Sequence, residues 1–421
     1  MPQAAGPSPQ QQANSLNAFS RMAVVNGVQG SDGLRKGPAV KRTYQLSGGG
    51  NFVPANTPQI TILPSNVGLL LGFWVQVIAT INNTSGFPIQ LTDLGPANLL
   101  ANVQLNDLQN NTRVQCPGWV IALSNSVRNH GQPFGSAMPH NTATDSPINW
   151  GSVFAGQISA PPQIPTGQSG VATMWYYVPV AYSDEDLRGV IYINVLNSTV
   201  QLILNFAGNG GTVAQNGVTV CQSFAGDATQ AVYQATNAGA TLANVTQTGV
   251  VVNVWQVFYD SIPKDPKFGL LVPVIDASTV YELKQTTLSA IVANQDFPYQ
   301  FPNYRDILAT YLAYVNTAAG GIRTGGVDLN YLEILTANFT AIWKVTPALQ
   351  AIITRNLIGT DMPPGFYYIN TRRKPINSTQ FGNIQVIINP LTAGAGAYLM
   401  VAIEDFAVQQ ALSVAGSLAA S

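Results

Sequence analysis

Val250-Val-Val-Asn-Val-Trp-Gln-Val-Phe-Tyr-Asp260, Ser261-Ile-Pro-Lys-Asp-Pro-Lys267 and Phe268-Gly-Leu-Leu-Val-Pro-Val-Ile-Asp276 form the stretch around which the chain is organised. From Val250 to Tyr259 both alternating faces are apolar, broken only by Asn253 and Gln256. A short run so rich in β-branched and aromatic residues predicts a strand covered on both sides. The sequence on either side of it tells the same story twice. Asn197-Ser-Thr199 leads into Gln201-Leu-Ile-Leu-Asn-Phe206, and Asn377-Ser-Thr379 leads into Gln385-Val-Ile-Ile-Asn-Pro390. In both, apolar residues alternate with Gln and Asn, the period of a half-buried strand. The repetition predicts a duplicated sandwich with its joint near Gly249.

Working outward, residues 1–50 read as an arm. Leu16, Phe19 and Met22 stand at helical spacing beside Arg21, which predicts a short amphipathic helix over about 13–24. Gly27 to Gly50 reads as a loose linker. Strands are expected at Ile60–Leu63, Leu69–Ile81, Trp119–Leu123, Thr173–Val178, Val190–Val195 and Val200–Phe206. Pro96 starts a short helix with Leu99, Leu100 and Val103 on one face. Residues 207–248 read as a long exposed excursion with short strands. In the second half, strands are expected at Leu308–Val315, Gly365–Ile369, Ile384–Ile388 and Ala397–Phe406. Asp328 is expected to cap a helix lined by Leu329, Leu332, Leu335 and Phe339. Thr346-Pro347 and Gly359 bracket another, with Leu349, Ile352, Ile353 and Leu357 as its buried stripe. Residues 407–421 carry no charge and read as a tail. Many short strands, with helices confined to connections, predict an all-β chain of two β-sandwiches.

Charged residues make up 9% of the 421 positions, against about 25% in ordinary soluble domains. Interface cores are depleted in charge, so the composition suits a protein packed against neighbours. Net charge is −1, but residues 1–45 hold Arg21, Arg35, Lys36, Lys41 and Arg42 against Asp32 alone. A basic arm on a mildly acidic body suits an anionic partner. Two cysteines, Cys116 and Cys221, make neither a disulfide framework nor a zinc site. Met1-Pro-Gln-Ala-Ala-Gly6 lacks the pattern of a signal peptide.

No constellation points to catalysis, a metal or a cofactor. His130 and His140 share a loop with Asp145, but no third ligand is spaced for a metal. Asp184-Glu185-Asp186 reads as part of a helix cap, not an ion site, and Glu404-Asp405 as a solvated strand end, since no calcium-loop spacing surrounds them. Trp74 and Trp175 lie in apolar strands and read as core, not a sugar platform.

Several segments, in order, resemble the major capsid proteins of tectiviruses, icosahedral bacteriophages with an internal lipid membrane. They are Ser65-Asn-Val-Gly68 with Gly72-Phe73, Leu91-Thr-Asp-Leu-Gly-Pro-Ala-Asn-Leu99, Thr144-Asp-Ser-Pro-Ile148 and Val178-Pro-Val-Ala-Tyr-Ser-Asp-Glu-Asp-Leu187. In the second half they are Asp328-Leu-Asn-Tyr-Leu332 with Thr336-Ala-Asn-Phe339, Asp361-Met-Pro-Pro-Gly-Phe-Tyr-Tyr368, and Lys374-Pro-Ile376 with Gln380-Phe-Gly-Asn383. The arm before Pro54 and residues 207–248 depart from the family pattern. The resemblance implies a double jelly roll of two tandem eight-stranded sandwiches: arm 1–50, first jelly roll 51–248, second 249–406, tail 407–421. It implies a structural protein with no catalytic residues and no cofactor. Pseudo-hexagonal homotrimers would assemble in the host bacterial cytoplasm and tile an icosahedral virion over a membrane. The implied partners are the chain itself, vertex and minor capsid proteins, and the membrane. Leu16, Phe19, Arg21, Met22, Arg35, Lys36, Lys41 and Arg42 would face that membrane. No direct nucleic-acid contact is expected. The alternative is a host-attachment or carbohydrate-binding β-sandwich protein, which predicts saturable ligand binding by isolated chains.

Overall fold

The structure, a computed structural model, describes residues 28–29, 35–36, 41–52, 59–66, 68–92, 94–128, 160–183, 188–193, 199–207, 219–222, 231–236, 244–259, 279–316, 328–337, 340–358, 365–394 and 396–408. The first half runs β1 (Val28–Gln29), β2 (Arg35–Lys36), β3 (Lys41–Phe52), β4 (Gln59–Ile62), β5 (Leu69–Asn83), β6 (Ile89–Leu91), β7 (Leu100–Asn106), β8 (Thr112–Cys116) and α1 (Gly118–Arg128). It continues with β9 (Gln163–Ile164), β10 (Gln168–Pro179), β11 (Ile191–Tyr192), β12 (Gln201–Phe206), β13 (Thr219–Gln222), β14 (Ala231–Ala235) and β15 (Val245–Tyr259). The second half runs β16 (Thr279–Leu288), β17 (Phe297–Gln300), β18 (Arg305–Val315), β19 (Leu329–Leu335), β20 (Ala341–Val345) and α2 (Pro347–Ile358). It ends with β21 (Phe366–Asn370), β22 (Ile376–Asn377), α3 (Ser378–Phe381), β23 (Gln385–Pro390) and β24 (Tyr398–Val408).

The duplication is a topological fact. One sheet of the first half has the order β10-β5-β15-β3, and the second half repeats it as β21-β18-β24-β16. The facing strands β4-β12-β7-β8 are repeated as β17-β23-β19-β20. The twin segments quoted above are β12 and β23, which hold matching places in those sheets. Each half is an eight-stranded sandwich, and the pair is a double jelly roll. The halves are stitched together where β16 runs parallel to β8, with Leu283 opposite Val114 and Lys284 opposite Gln115. This makes one nine-stranded sheet from strands of both halves.

β15 is a strand, as the decisive stretch predicts, but its cover is uneven. Val250, Val252 and Val254 are buried in the core, whereas Val251, Asn253 and Trp255 are half-buried on the outer face. It passes Gly249 without interruption and pairs with β5 and β3, so the position expected for the joint lies inside a first-half strand. Residues 41–50, expected to be loose, belong to β3 and pair with β15. β14, expected in an exposed excursion, is buried along its whole length.

Three other local expectations fail for identifiable reasons. Residues 119–123 are helical, not a strand. Every residue from Gly118 to Asn125 is buried, so the helix lacks the amphipathic period that would have marked it. Leu329, Leu332 and Leu335 belong to the strand β19, not to a helix, and Phe339 lies outside the described residues. A register shift between Leu329 and Tyr331 breaks the alternation there, leaving leucines at a spurious helical spacing. After Pro96 only one 3-10 turn forms, Gly95–Leu99, and Leu100 and Val103 belong to β7.

The helix α2 forms where Thr346-Pro347 predicts, but with its faces reversed. Pro347, Gln350, Thr354 and Ile358 are buried, while Leu349, Ile352 and Leu357 are 46%, 57% and 36% exposed. The carbonyl of Tyr368 on the edge strand β21 accepts hydrogen bonds from Gln350 Nε2 (2.6 Å) and the Thr354 hydroxyl (3.2 Å). A buried acceptor left unmade costs more than a few apolar side chains left half in water, so the polar face turns inward. In the first half, Asn125 of α1 plays the same part, bracketing the backbone of Tyr177 at 3.1 and 2.9 Å.

Candidate functional site

The side chains that bind the two halves converge on β24. Glu404 is fully buried, although the sequence places it at a solvated strand end. Its Oε1 accepts from Arg128 Nη2 at 2.9 Å, and its Oε2 accepts from Arg372 Nη2 and from the Tyr311 hydroxyl at 3.0 Å. Arg372 also donates to Tyr311 at 3.1 Å. Arg128 closes α1, where a cation suits the negative end of the helix dipole. It donates further to the Tyr281 hydroxyl and to the Tyr182 carbonyl, and its guanidinium lies 5.0 Å from the Tyr281 ring centroid. One carboxylate on a second-half strand thus gathers an arginine from each half. Burial alone would push the Glu404 carboxyl up, but the two guanidiniums and the hydrogen bonds from Arg372 and Tyr311 outweigh it and hold it down at about 2. Burial pushes the Tyr281 and Tyr311 phenols well up, so both remain donors or neutral acceptors.

Successive residues of a strand face opposite ways, so Asp405 lies on the other face of β24, 4% exposed. Its carboxylate is 3.3 Å from Arg305 Nη1, which also donates to Glu282 Oε2 at 2.5 Å. Lys284 reaches the same Glu282 oxygen at 2.8 Å. Burial pushes the Asp405 carboxyl up to about 7; Glu282 adds to this and Arg305 opposes it. A polar cavity of about 580 Å³ opens beside this group, lined by Thr112 and Gln115 of β8 and by Glu282, Lys284 and Arg305.

Packing completes the seam. Trp119 of α1 meets Phe366 of β21 edge to face at 5.2 Å. Gly189, at φ +85°, sits where a Cβ would lie 2.6 Å from that of Tyr281, so only glycine lets the chain pass β16 so closely. Among the described residues, no group of three or more His, Cys, Asp or Glu is placed to hold a metal ion. Trp74 and Trp175, expected in the core, lie half-buried on the outer face of the first-half sheet, where Trp175 stacks on Trp255 at 5.1 Å.

Other sequence candidates are not gathered into this site. Leu16, Phe19, Arg21, Met22, His130, His140, Asp145 and Asp184 to Asp186 lie outside the described residues, as does the tail beyond Val408. Arg35 and Lys36 form β2, and Lys41 and Arg42 open β3. No helix among the described residues is long and apolar enough to cross a membrane.

Comparison with known proteins accounts for a site that binds the two halves together. Family models for the N-terminal and C-terminal parts of the P3 major capsid protein match residues 34–262 and 278–420. The chain belongs to the P3 major capsid protein family. Major capsid protein P3 of Enterobacteria phage PRD1 is 37% identical over 368 residues, spanning 87% of this chain and 88% of that one. The capsid protein of Sulfolobus Turreted Icosahedral Virus has the same double jelly-roll fold. Its crystal structure superposes with a TM-score of 0.54 at 12% identity, covering 89% of this chain and 98% of that one. A chain in the atomic structure of that virus gives 0.55 at 11% identity, covering 90% of this chain and 92% of that one. Like its relatives, this P3-family chain is a structural, non-enzymatic component of a virion shell and assembles with itself into the capsid lattice.

Proposed function

We propose that the protein assembles as a homotrimer whose six sandwiches form a pseudo-hexagonal tile, and that these tiles enclose an internal lipid membrane in an icosahedral shell. The repeated sheet order carries this reading: two like sandwiches per chain make six like lobes in three chains. The low charge, 9% of residues, suits flanks covered by neighbours. We place the joint between the sandwiches after Tyr259 and before Thr279, where pairing passes from first-half to second-half strands. Vertex and minor capsid proteins would complete the shell, and assembly would take place in the cytoplasm of a bacterial host. Light scattering behind a sizing column is expected to give a stable species at three times the 44.7 kDa chain. A monomer at micromolar concentration would overturn the tile.

The N-terminal arm would supply the membrane contact through Leu16, Phe19 and Met22 with Arg21, Arg35, Lys36, Lys41 and Arg42. Each basic residue near an anionic lipid surface contributes about 1 kcal/mol, fading within a Debye length, so attachment depends on many weak contacts per particle. Replacing the five basic residues by glutamine is expected to weaken flotation with anionic liposomes while sparing the trimer. Unchanged flotation would remove the arm from the mechanism.

A further inference from the structure

The polar cavity beside the seam is lined by groups that the fold itself leaves unused. Its volume, about 580 Å³, falls within the range of small-molecule sites, about 300–1,000 Å³. Such sites are mostly apolar, and this one is not. Gln115 of β8 lines it from the first half, and Glu282 and Lys284 of β16 line it from the second, with Asn303, Tyr304 and Arg305 from the turn into β18. Gln115 and Lys284 are partners in the parallel pairing of β8 with β16, so the walls of the cavity belong to both halves.

Pairing within the cavity is lopsided. Arg305 Nη1 and Lys284 Nζ both meet Glu282 Oε2, at 2.5 and 2.8 Å, and Nη1 also reaches Asp405 at 3.3 Å. Among the described residues, Glu282 Oε1 is left without a donor, and Arg305 Nε and Nη2 without an acceptor. Gln115, Asn303 and Tyr304 are exposed, and their amides and hydroxyl bond to no other described side chain. Two cations face two acids, so the lining does not select an ion of either sign. It offers donors and acceptors side by side. Neighbouring hydroxyl groups answer that pattern, because each hydroxyl both donates and accepts. One hydroxyl of such a pair can donate to Glu282 Oε1 while the other accepts from Lys284 or Arg305.

Tyr304 adds a flat apolar face. It is 59% exposed, and its backbone is left-handed at φ +60°, a conformation that is costly for a bulky residue. The turn that carries it is pinned on both sides. The Phe301 amide donates to the Ile384 carbonyl at 2.8 Å, and the Arg305 amide donates to the Ser378 hydroxyl at 2.8 Å. Phe301 is buried, so the strain at Tyr304 is held by its surroundings. A strained residue with its ring in solvent contributes little packing in return, and such strain gathers at ligand sites. The ring of a tyrosine offers an apolar face and a polar tip, to which the C–H face and the hydroxyls of a pyranose ring are complementary.

We infer that this cavity binds a neutral saccharide, with one pyranose ring laid on Tyr304 and its neighbouring hydroxyls on Glu282, Lys284 and the amides of Gln115 and Asn303. The ligand spans both halves of one chain. The site is complete within that chain, so the inference stands apart from the trimer and membrane reading and adds a binding function to a shell protein.

The test titrates the full-length chain with the methyl glycosides of glucose, galactose, mannose and N-acetylglucosamine, followed by saturation-transfer NMR and calorimetry. At least one is expected to bind saturably, with transfer strongest to the protons of one ring face, and to raise the melting temperature as any ligand of the folded state does. Tyr304→Ala is expected to weaken that binding about tenfold, whereas Tyr304→Phe keeps the ring and binds like wild type. Gln115→Ala, on the exposed rim, is expected to weaken binding without changing the melting of the free chain. Tyr304→Gly is expected to melt no lower than wild type, since glycine adopts the left-handed backbone freely, and to bind no glycoside. A Tyr304→Gly chain that melts well below wild type would make the ring a packing element and overturn its assignment. The saccharide reading is overturned if no glycoside binds, or if Tyr304→Ala binds as tightly as wild type. Inorganic phosphate and glycerophosphoethanolamine are titrated alongside. Saturable binding of either, with none of any glycoside, would show that the two cations form an ion site and would overturn the reading as well.

Discussion

Replacing Glu404 by alanine is expected to destabilise the protein by about 3–5 kcal/mol, the range found when one partner of a buried ion pair is removed. The magnitude follows from what is left behind. Glu404 is completely enclosed, and the side chains of Arg128 and Arg372 are only 17% and 13% exposed. Without the carboxylate, two guanidiniums face each other in a place water reaches poorly, and Tyr311 loses its acceptor. Because Arg128 comes from α1 and Glu404 from β24, the loss falls on the junction between the halves. Denaturant unfolding should therefore show both a lower midpoint and a split into two steps, the second half separating from the first. Replacing the triad Glu404, Arg128 and Arg372 together by apolar residues of similar volume should recover most of the loss, since a buried ion pair repays little more than its own desolvation. A Glu404→Ala protein within 1 kcal/mol of wild type, with one cooperative transition, would show that the seam rests on apolar packing alone.

The sequence makes the sandwiches legible and the seam nearly invisible, for physical reasons. Strands such as β5 and β12 alternate buried and half-buried residues, so the period-2 signal of Leu202, Leu204 and Phe206 survives into the structure. Of the twin segments, Gln201–Phe206 and Gln385–Pro390 are the strands β12 and β23, which hold matching places in their sheets. The signal fails where an element is covered on every side. α1 is buried from Gly118 to Asn125 because first-half strands enclose one side and the second half the other, so the run Trp119–Leu123 is apolar on every face and looks like a strand. It fails again where backbone groups decide orientation. Nothing in Leu349, Ile352, Ile353 and Leu357 says that a carbonyl on an edge strand will claim the opposite face.

Glu404 and Asp405 were open to a better reading. They interrupt Tyr398-Leu-Met-Val-Ala-Ile403, an apolar run, and are followed by Phe406-Ala-Val408. Two acids in the middle of such a run fall on opposite faces of one strand, and a central strand buries both. Their partners could not be read in advance, because Arg128 lies 276 positions away and Arg305 lies 100 away. Arg305 meets Asp405 through the pairing of β18 with β24, whereas Arg128 meets Glu404 across the contact between halves, where β16 runs beside β8.

The opposite environments of these neighbours set the dependence of stability on pH. The Glu404 carboxyl is held at about 2, below its ordinary 4.5, so its contribution is complete above about 4.5 and is lost as pH falls toward 2. Asp405 works the other way. Its carboxyl is raised to about 7 from an ordinary 3.8, so the folded state holds a proton that the unfolded state has released. Its contribution is complete below about 3.8 and is lost as pH rises through 7. Each unit of that window costs up to about 1.4 kcal/mol, and the whole amounts to about 4 kcal/mol at most. Stability is therefore expected to peak near pH 4–5 and to fall toward pH 7.5. Asp405→Asn keeps an acceptor for Arg305 and has no proton to lose, so its melting temperature should stay level across that window and exceed wild type at pH 8. Melting both proteins from pH 4 to 9 decides the matter. A wild-type curve that is flat between pH 4.5 and 7.5, or an Asp405→Asn curve that still declines, would mean that Arg305 and Lys284 keep the carboxylate charged and that burial does not govern this face of β24.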